Sequence, residues 1–408
     1  MEFGINKKIK VAFICQMSSE FVQDRLPLWK KSEFIGAWIS NTVEGFKNLK
    51  DFEIHIISSH PFLKKNYSFN EDGISYHFYK SGIPILDRNW PRIFRLDVLT
   101  KFYCNRRKIN KIVNFIKPDI INLHGAENAQ YSLSILDLYK KYPVLVTIQG
   151  FVYLETSTRE DRIRKIRVAT EAKIIRNCPN FGGDFDSMRM IKEMRNSDFK
   201  FYNFYYPNGT KIDKLSEKKS DKDFDLLFWG RTIKDKGAED FLILVSKLVA
   251  DFPQLKACYI GPIQQQYQEF LRVRSIELGC ESNIVFHGYL RSEEELYTEV
   301  LKSRILVLPT YNDRFPTVLR EAVHFRIAVI GYATGSIPQF NTGDERILLS
   351  DQGDIAKLYT DAKKLLTDKS YFNSLTEKAF VHGIKEFSIE NNCAKMAAAY
   401  YDILKIIK

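Results

Sequence analysis

The chain has 408 residues, 45% hydrophobic and 27% charged, with 30 Phe, 21 Tyr and 4 Trp, a composition that excludes disorder, collagen and a disulfide-stapled miniprotein. Its length predicts two or three domains. The net charge of +11 lies wholly in residues 1–208, which hold 33 Lys+Arg against 22 Asp+Glu, while the two classes balance at 28 each beyond. That asymmetry points to an anionic partner for the first half, or to a plain solvated basic face. Cysteines at 15, 104, 178, 258, 280 and 393 form no CxxC pair, which fits a reducing cytosol. The apolar run 11–15 is too short for a secretory signal. No stretch reaches the roughly 18 apolar residues of a membrane-spanning helix.

In chain order, residues 10–15, 53–58, 119–123 and 144–148 read as buried strands. Helical patterns lie between them at 37–49, 97–116 and 129–141. The turn cluster Pro207-Asn208-Gly209 and a Lys-rich polar stretch to residue 225 interrupt the pattern. It restarts with strands at 226–229, 256–260, 284–286, 305–309 and 328–331, again with helices between. Buried strands alternating with helices mean parallel sheets. The expected fold is therefore α/β: two Rossmann-like doubly wound domains facing each other across a cleft. Their expected extents are 1–208 and 209–386, with residues 387–408 forming a helix that packs back on the first domain.

The densest chemistry runs from residue 309 to 339. Pro316 suits the first turn of a helix, whose amides at Thr317, Val318 and Leu319 would face an anion. Asp313 precedes that helix and Glu321 lies within it, two carboxylates suited to sugar or ribose hydroxyls. Upstream, Arg231 and Lys236 follow the strand that ends at Gly230, placed to neutralise a diphosphate. The bland readings are a capping Asp, a solvated Glu and an ordinary basic loop.

Taken in order, these pieces resemble the glycosyltransferase family 4 group of the GT-B fold. The resemblance rests on Pro207-Asn208-Gly209, on Gly230-Arg231 with Lys236-Gly237, and on Ile260-Gly261-Pro262 with Val285-Phe286-His287-Gly288. It also rests on Asp313-Arg314-Phe315-Pro316 through Glu321-Ala322, and on Thr334-Gly335-Ser336. The chain departs from the family pattern at Asp313, where Glu is usual, and at Arg326, Ala328 and Gln339. The resemblance implies retaining transfer of a sugar from a nucleotide diphosphate, UDP- or GDP-linked, to an acceptor hydroxyl, with no cofactor and no metal. Arg231, Lys236 and the amides near Thr317–Leu319 would hold the departing diphosphate, beside Phe315 and Pro316. Glu321 would hold the ribose, Asp313 the donor sugar, and Gly261, Gly288, Tyr289 and Leu290 the base. On the acceptor side it implies Gly36, His124, Gln149 and Gly150, with His124 facing the donor sugar.

Lys101, Arg106, Arg107, Lys108 and Lys111 fall on one expected helix, and Arg159, Arg162, Arg164, Lys165, Arg167, Lys173 and Arg176 crowd a second. The resemblance gives this charge a reading: a lipid-linked glycan acceptor of capsule or O-antigen synthesis, with the chain cytoplasmic or peripheral on the cytoplasmic face of the inner membrane. Alternatives are a small soluble acceptor, a GT-B-shaped sugar-nucleotide epimerase, or a basic nucleic-acid-binding protein. Nucleic acid is not an expected partner, because aromatic and basic residues do not interleave on one face. The triplets Asp184-Phe185-Asp186 and Asp223-Phe224-Asp225 spell DxD by chance.

Overall fold

A computed structural model describes residues 8–18, 20–26, 37–60, 62–81, 96–152, 162–208, 212, 215, 221–290 and 292–407. The chain divides into two compact units: residues 1–207 with 389–408, and residues 208–388. The divisions fall one and two residues from the boundaries read in the sequence. Gly36, Gly209, Arg159 and most of the Lys-rich stretch lie outside the described residues.

In the first unit the described strands, numbered in chain order, are β1 (Ile9–Ile14), β2 (Phe52–His60), β3 (Tyr67–Glu71), β4 (Ile74–Lys80), β5 (Ile120–His124), β6 (Val144–Thr147), β7 (Asn180–Gly183) and β8 (Lys200–Asn203). They form one sheet in the order β3-β4-β2-β1-β5-β6-β7-β8, parallel except for the β3–β4 hairpin. Strands such as β1 and β5 are apolar almost throughout because helices cover both faces. Strands β3, β4, β7 and β8 add to those expected from sequence. β7 reads Asn-Phe-Gly-Gly, and Gly182 is needed there because a Cβ would overlap the ring of Phe204.

The helix expected over 97–116 is broken. It consists of Leu96–Leu99 and Tyr103–Ile116, separated by Thr100, Lys101 and Phe102, the last two left-handed at φ 49° and 54°. Burial of Phe102 against Ala129 and Leu133 holds this costly conformation. The 129–141 helix is likewise two short pieces, Ala129–Ser132 and Ile135–Leu138. The helix Ile389–Ile407 packs in this unit: Cys393 and Ile389 meet Gly45, where any side chain would overlap them. Tyr400 accepts from buried Asn122 at 2.7 Å, and Asn122 in turn accepts from Thr147 at 2.8 Å.

In the second unit β9 (Phe224–Trp229), β10 (Ala257–Ile260), β11 (Ile284–Gly288), β12 (Ser303–Leu308), β13 (Ala328–Tyr332) and β14 (Leu348–Ser350) form a fully parallel sheet, ordered β11-β10-β9-β12-β13-β14. Counted from β9, this is the order 3-2-1-4-5-6 of dinucleotide-binding folds. Its strand order reverses between β9 and β12, where such sheets open a ligand crevice at their carboxyl ends. Both units are thus Rossmann-like and doubly wound. Among the described residues no helix is long and apolar enough to cross a membrane.

Candidate active site

At the carboxyl ends of β9 and β12 the second unit holds a cavity of about 220 Å3, lined by Gly230, Arg231, Lys236, Thr310, Asp313, Phe315, Pro316, Thr317 and Val318 among others. Glycines shape the strand ends around it, and of those described next Gly230 lines the cavity itself. Gly230, Gly261 and Gly288 end three neighbouring strands, all at positive φ. Gly230 donates to Ile260 O at 2.9 Å, and Gly261 donates to Gly288 O at 2.8 Å. A Cβ on Gly261 would overlap the Gly230 carbonyl. Gly237, at φ 75°, closes the 3-10 turn Lys234–Lys236, and a Cβ there would overlap the carbonyl of Pro309. Only glycine lets the β9 and β12 loops approach so closely.

Two cations line the cavity. Arg231 is exposed at the cavity wall. Lys236 Nζ sits 2.6 Å from Asp313 Oδ2 and donates to Asn312 O at 2.8 Å. Lys236 and Asp313 therefore neutralise each other here. An entering anion would compete with Asp313 for Lys236. At Gly335, φ 57°, a Cβ would overlap the Asp313 carbonyl, and Ser336 N donates to Arg314 O at 2.8 Å, which fixes the loop.

The helix Thr317–His324 begins on this cavity. Pro316 is its N-cap, extended at ψ 133°, and so stands just before the first turn in which the sequence reading placed it. Leu319 is fully buried and its amide already donates to Pro316 O at 3.2 Å. Its expected part in anion binding is therefore corrected, and Thr317 and Val318 are left as the amides at the helix mouth. No side chain caps them, so the positive end of the helix faces the cavity. Phe315 packs on Phe387 and Phe340, at 5.5 and 6.5 Å between ring centroids.

One turn along, Glu321 accepts from Tyr297 Oη at 3.2 Å. Burial pushes its carboxyl up to about 7, against the charge of Arg320 and the Tyr297 bond. Tyr297 was not foreseen: it comes from the separate helix Glu293–Leu301, and packing alone brings it there. At the far side of the sheet Tyr289 is 53% exposed and Leu290 is half-buried, flanking Gly288.

The acceptor-side residues belong to the first unit. His124 ends β5, and Gln149 and Gly150 follow β6; both of the latter are half-buried. His124 has no exposed surface. It lies against Phe13, its Nδ1 is 3.1 Å from Tyr206 Oη, and its Nε2 meets no partner. Burial lowers its pKa to about 3, so it is neutral at physiological pH. Asp184 caps the helix Phe185–Met194 and Asp186 pairs with Arg189, so that DxD triplet has local structural work. Among the described residues no group of three or more His, Cys, Asp or Glu is placed to hold a metal ion.

Residues 210–382 match the model of the family described as glycosyl transferases group 1. The solved structure of sucrose-phosphate synthase from Thermosynechococcus elongatus aligns with a TM-score of 0.73 at 13% identity, covering 98% of this chain and 100% of that one. The chain has the two Rossmann-like domains of the GT-B fold. Among curated relatives, N-acetyl-alpha-D-glucosaminyl L-malate synthase of Bacillus anthracis is 21% identical over 82% of this chain and 91% of that protein. The 2-deoxystreptamine N-acetyl-D-glucosaminyltransferase of Niallia circulans is 24% identical over 152 residues. That match spans only 37% of this chain and 38% of the relative.

Proposed function

We propose that this chain moves a sugar, with retention of configuration, from a nucleoside diphosphate sugar to an acceptor hydroxyl. One observation carries the reading: Arg231, Lys236 and the start of the helix Thr317–His324 line a single cavity at the strand-order reversal of the second unit. Charge develops on the leaving diphosphate as the bond from the sugar's anomeric carbon to oxygen breaks. Fixed cations and amides aimed at that charge lower the barrier. The acceptor oxygen adds on the face the diphosphate leaves, and its proton passes to a diphosphate oxygen. Glu321 holds the ribose, and Asp313, released from Lys236, holds a hydroxyl of the donor sugar. These cations take the role a divalent metal has elsewhere.

For the acceptor we favour a lipid-linked glycan of bacterial surface polysaccharide, met at the cytoplasmic face of the membrane. The support is a surface on which Leu96, Leu99 and Tyr103 are 39%, 56% and 58% exposed beside exposed Lys101, Arg107 and Lys111. Apolar anchors among cations suit an anionic lipid surface. The second reading is a small soluble acceptor. The relatives favour it, since their names give 2-deoxystreptamine and L-malate as acceptors. Both names also carry the N-acetylglucosaminyl group, which makes UDP-N-acetylglucosamine the first donor to try.

The test is a thermal-shift panel with UDP, GDP, ADP, CMP and UDP-N-acetylglucosamine. A ligand at a hundred times its Kd adds about 2.7 kcal/mol of stability. A shift confined to one base and lost in Arg231→Ala is expected. The absence of any shift would overturn the donor site.

A further inference from the structure

We propose that Thr310 is a further binding residue for the donor, its hydroxyl donating to a phosphoryl oxygen of the diphosphate; the inference rests on the donor reading above. Thr310 follows Pro309 at the carboxyl end of β12 and lines the same cavity as Arg231 and Lys236. The residue is only 2% exposed, yet its Oγ1, shielded from water, meets no hydrogen-bond partner. A buried hydroxyl left unpaired is costly, so it calls for a partner that the chain itself does not supply.

The backbone that carries this hydroxyl is held on both sides. The Thr310 carbonyl accepts from Thr334 Oγ1 at 2.7 Å, and Thr334 Oγ1 accepts from Gln352 Nε2 at 2.9 Å. The preceding Pro309 carbonyl lies against Gly237. Nearby hydroxyls are already engaged: that of Thr334 as above, and those of Tyr311 and Tyr332 each donating to Asp240 at 2.6 Å. Thr310 offers a fixed, dry donor beside two cations and the positive end of a helix. The group that satisfies all of these together is a phosphoryl oxyanion, and an O–H donated to an oxyanion makes one of the stronger hydrogen bonds.

The test compares Thr310→Val, which keeps the shape and removes the hydroxyl, with Thr310→Ser, which keeps the hydroxyl. Each protein is titrated calorimetrically with UDP, GDP and inorganic pyrophosphate, and its unliganded urea midpoint is measured. Thr310→Val should bind the diphosphate that the parent binds about tenfold or more weakly. Its unliganded midpoint should stay equal or rise, because the unpaired hydroxyl is gone, and Thr310→Ser should bind as the parent does. Equal affinity in Thr310→Val, with binding lost in Arg231→Ala, overturns the role of Thr310 and leaves the donor site standing. A lower unliganded midpoint in Thr310→Val, restored by Ser, assigns the hydroxyl to the fold and also overturns it. Failure of the parent to bind any of the three probes overturns both the donor reading and this inference.

Discussion

Donor binding should depend on pH through one carboxyl. Glu321 titrates near 7 because burial outweighs the Arg320 charge and the Tyr297 hydroxyl, with Glu293 adding repulsion. A ribose diol brings two O–H donors, which the ionised carboxylate accepts best. The competent fraction is then about one-half at pH 7, about nine-tenths at pH 8 and about one-tenth at pH 6, and apparent affinity scales with it. From pH 8 to pH 6 the Kd for a nucleoside diphosphate sugar should rise about tenfold. Calorimetry with UDP-N-acetylglucosamine suits the measurement, because its diphosphate is doubly esterified and does not titrate in that window. Glu321→Gln should bind more weakly at pH 8 and show a flat profile. The same group sets a stability trend. Its folded pKa lies above its ordinary 4.5, so its contribution is complete below about 4.5 and lost as pH rises through about 7, by at most about 3 kcal/mol. Glu321→Gln should therefore gain urea resistance over the parent at pH 8 and little at pH 4.5. A parent Kd that does not change between pH 6 and 8, or an unchanged slope in Glu321→Gln, refutes the reasoning.

Three further outcomes are expected. Arg231→Ala or Lys236→Ala should lower turnover at saturating donor by roughly two to three orders of magnitude in initial-rate assays; undiminished turnover would remove them from the leaving-group site. Gly237→Ala forces a left-handed residue and a methyl into the Pro309 carbonyl. It should cost about 3 kcal/mol in urea unfolding, and a variant as stable as the parent would show that the two loops need no such approach. Replacing Lys101, Arg107 and Lys111 with Ser should weaken flotation with phosphatidylglycerol vesicles by about a hundredfold in partition, at about 1 kcal/mol per charge. Equal flotation would favour the small soluble acceptor.

The doubly wound pattern was legible because buried parallel strands such as Leu226–Trp229 and Ile305–Leu308 are unbroken apolar runs. The edge hairpin was not: Tyr-Ser-Phe-Asn-Glu in β3 is as polar as a loop. Nor was the helix break, since Lys101 and Phe102 carry no left-handed signature and only the burial of Phe102 requires it. At the site, the glycine and cation motifs were visible because their geometry is local to each strand end. The pairings Lys236–Asp313 and Tyr297–Glu321 join residues 77 and 24 positions apart. Tertiary packing selects those partners, and sequence spacing cannot name them. The neutral, enclosed state of His124 was hidden for the same reason, since Phe13 and Tyr206 come from distant segments to cover it.

The placement of the helix Ile389–Ile407 in the first unit has a consequence during synthesis. Ile389, Cys393, Met396, Ala399, Tyr400 and Ile403 belong to the same core cluster as Val11, Phe13 and Phe46. The ribosome must translate all of Asn208–Ser388 before these side chains emerge, an interval of roughly 10 to 40 s at bacterial or slower elongation rates. Through that interval one face of the first sheet, Asn122 included, waits without its cover. The second unit, contiguous in sequence, is free to fold first. A stop codon placed before residue 389 should therefore leave the second unit able to fold and the first with an uncovered apolar face prone to aggregation.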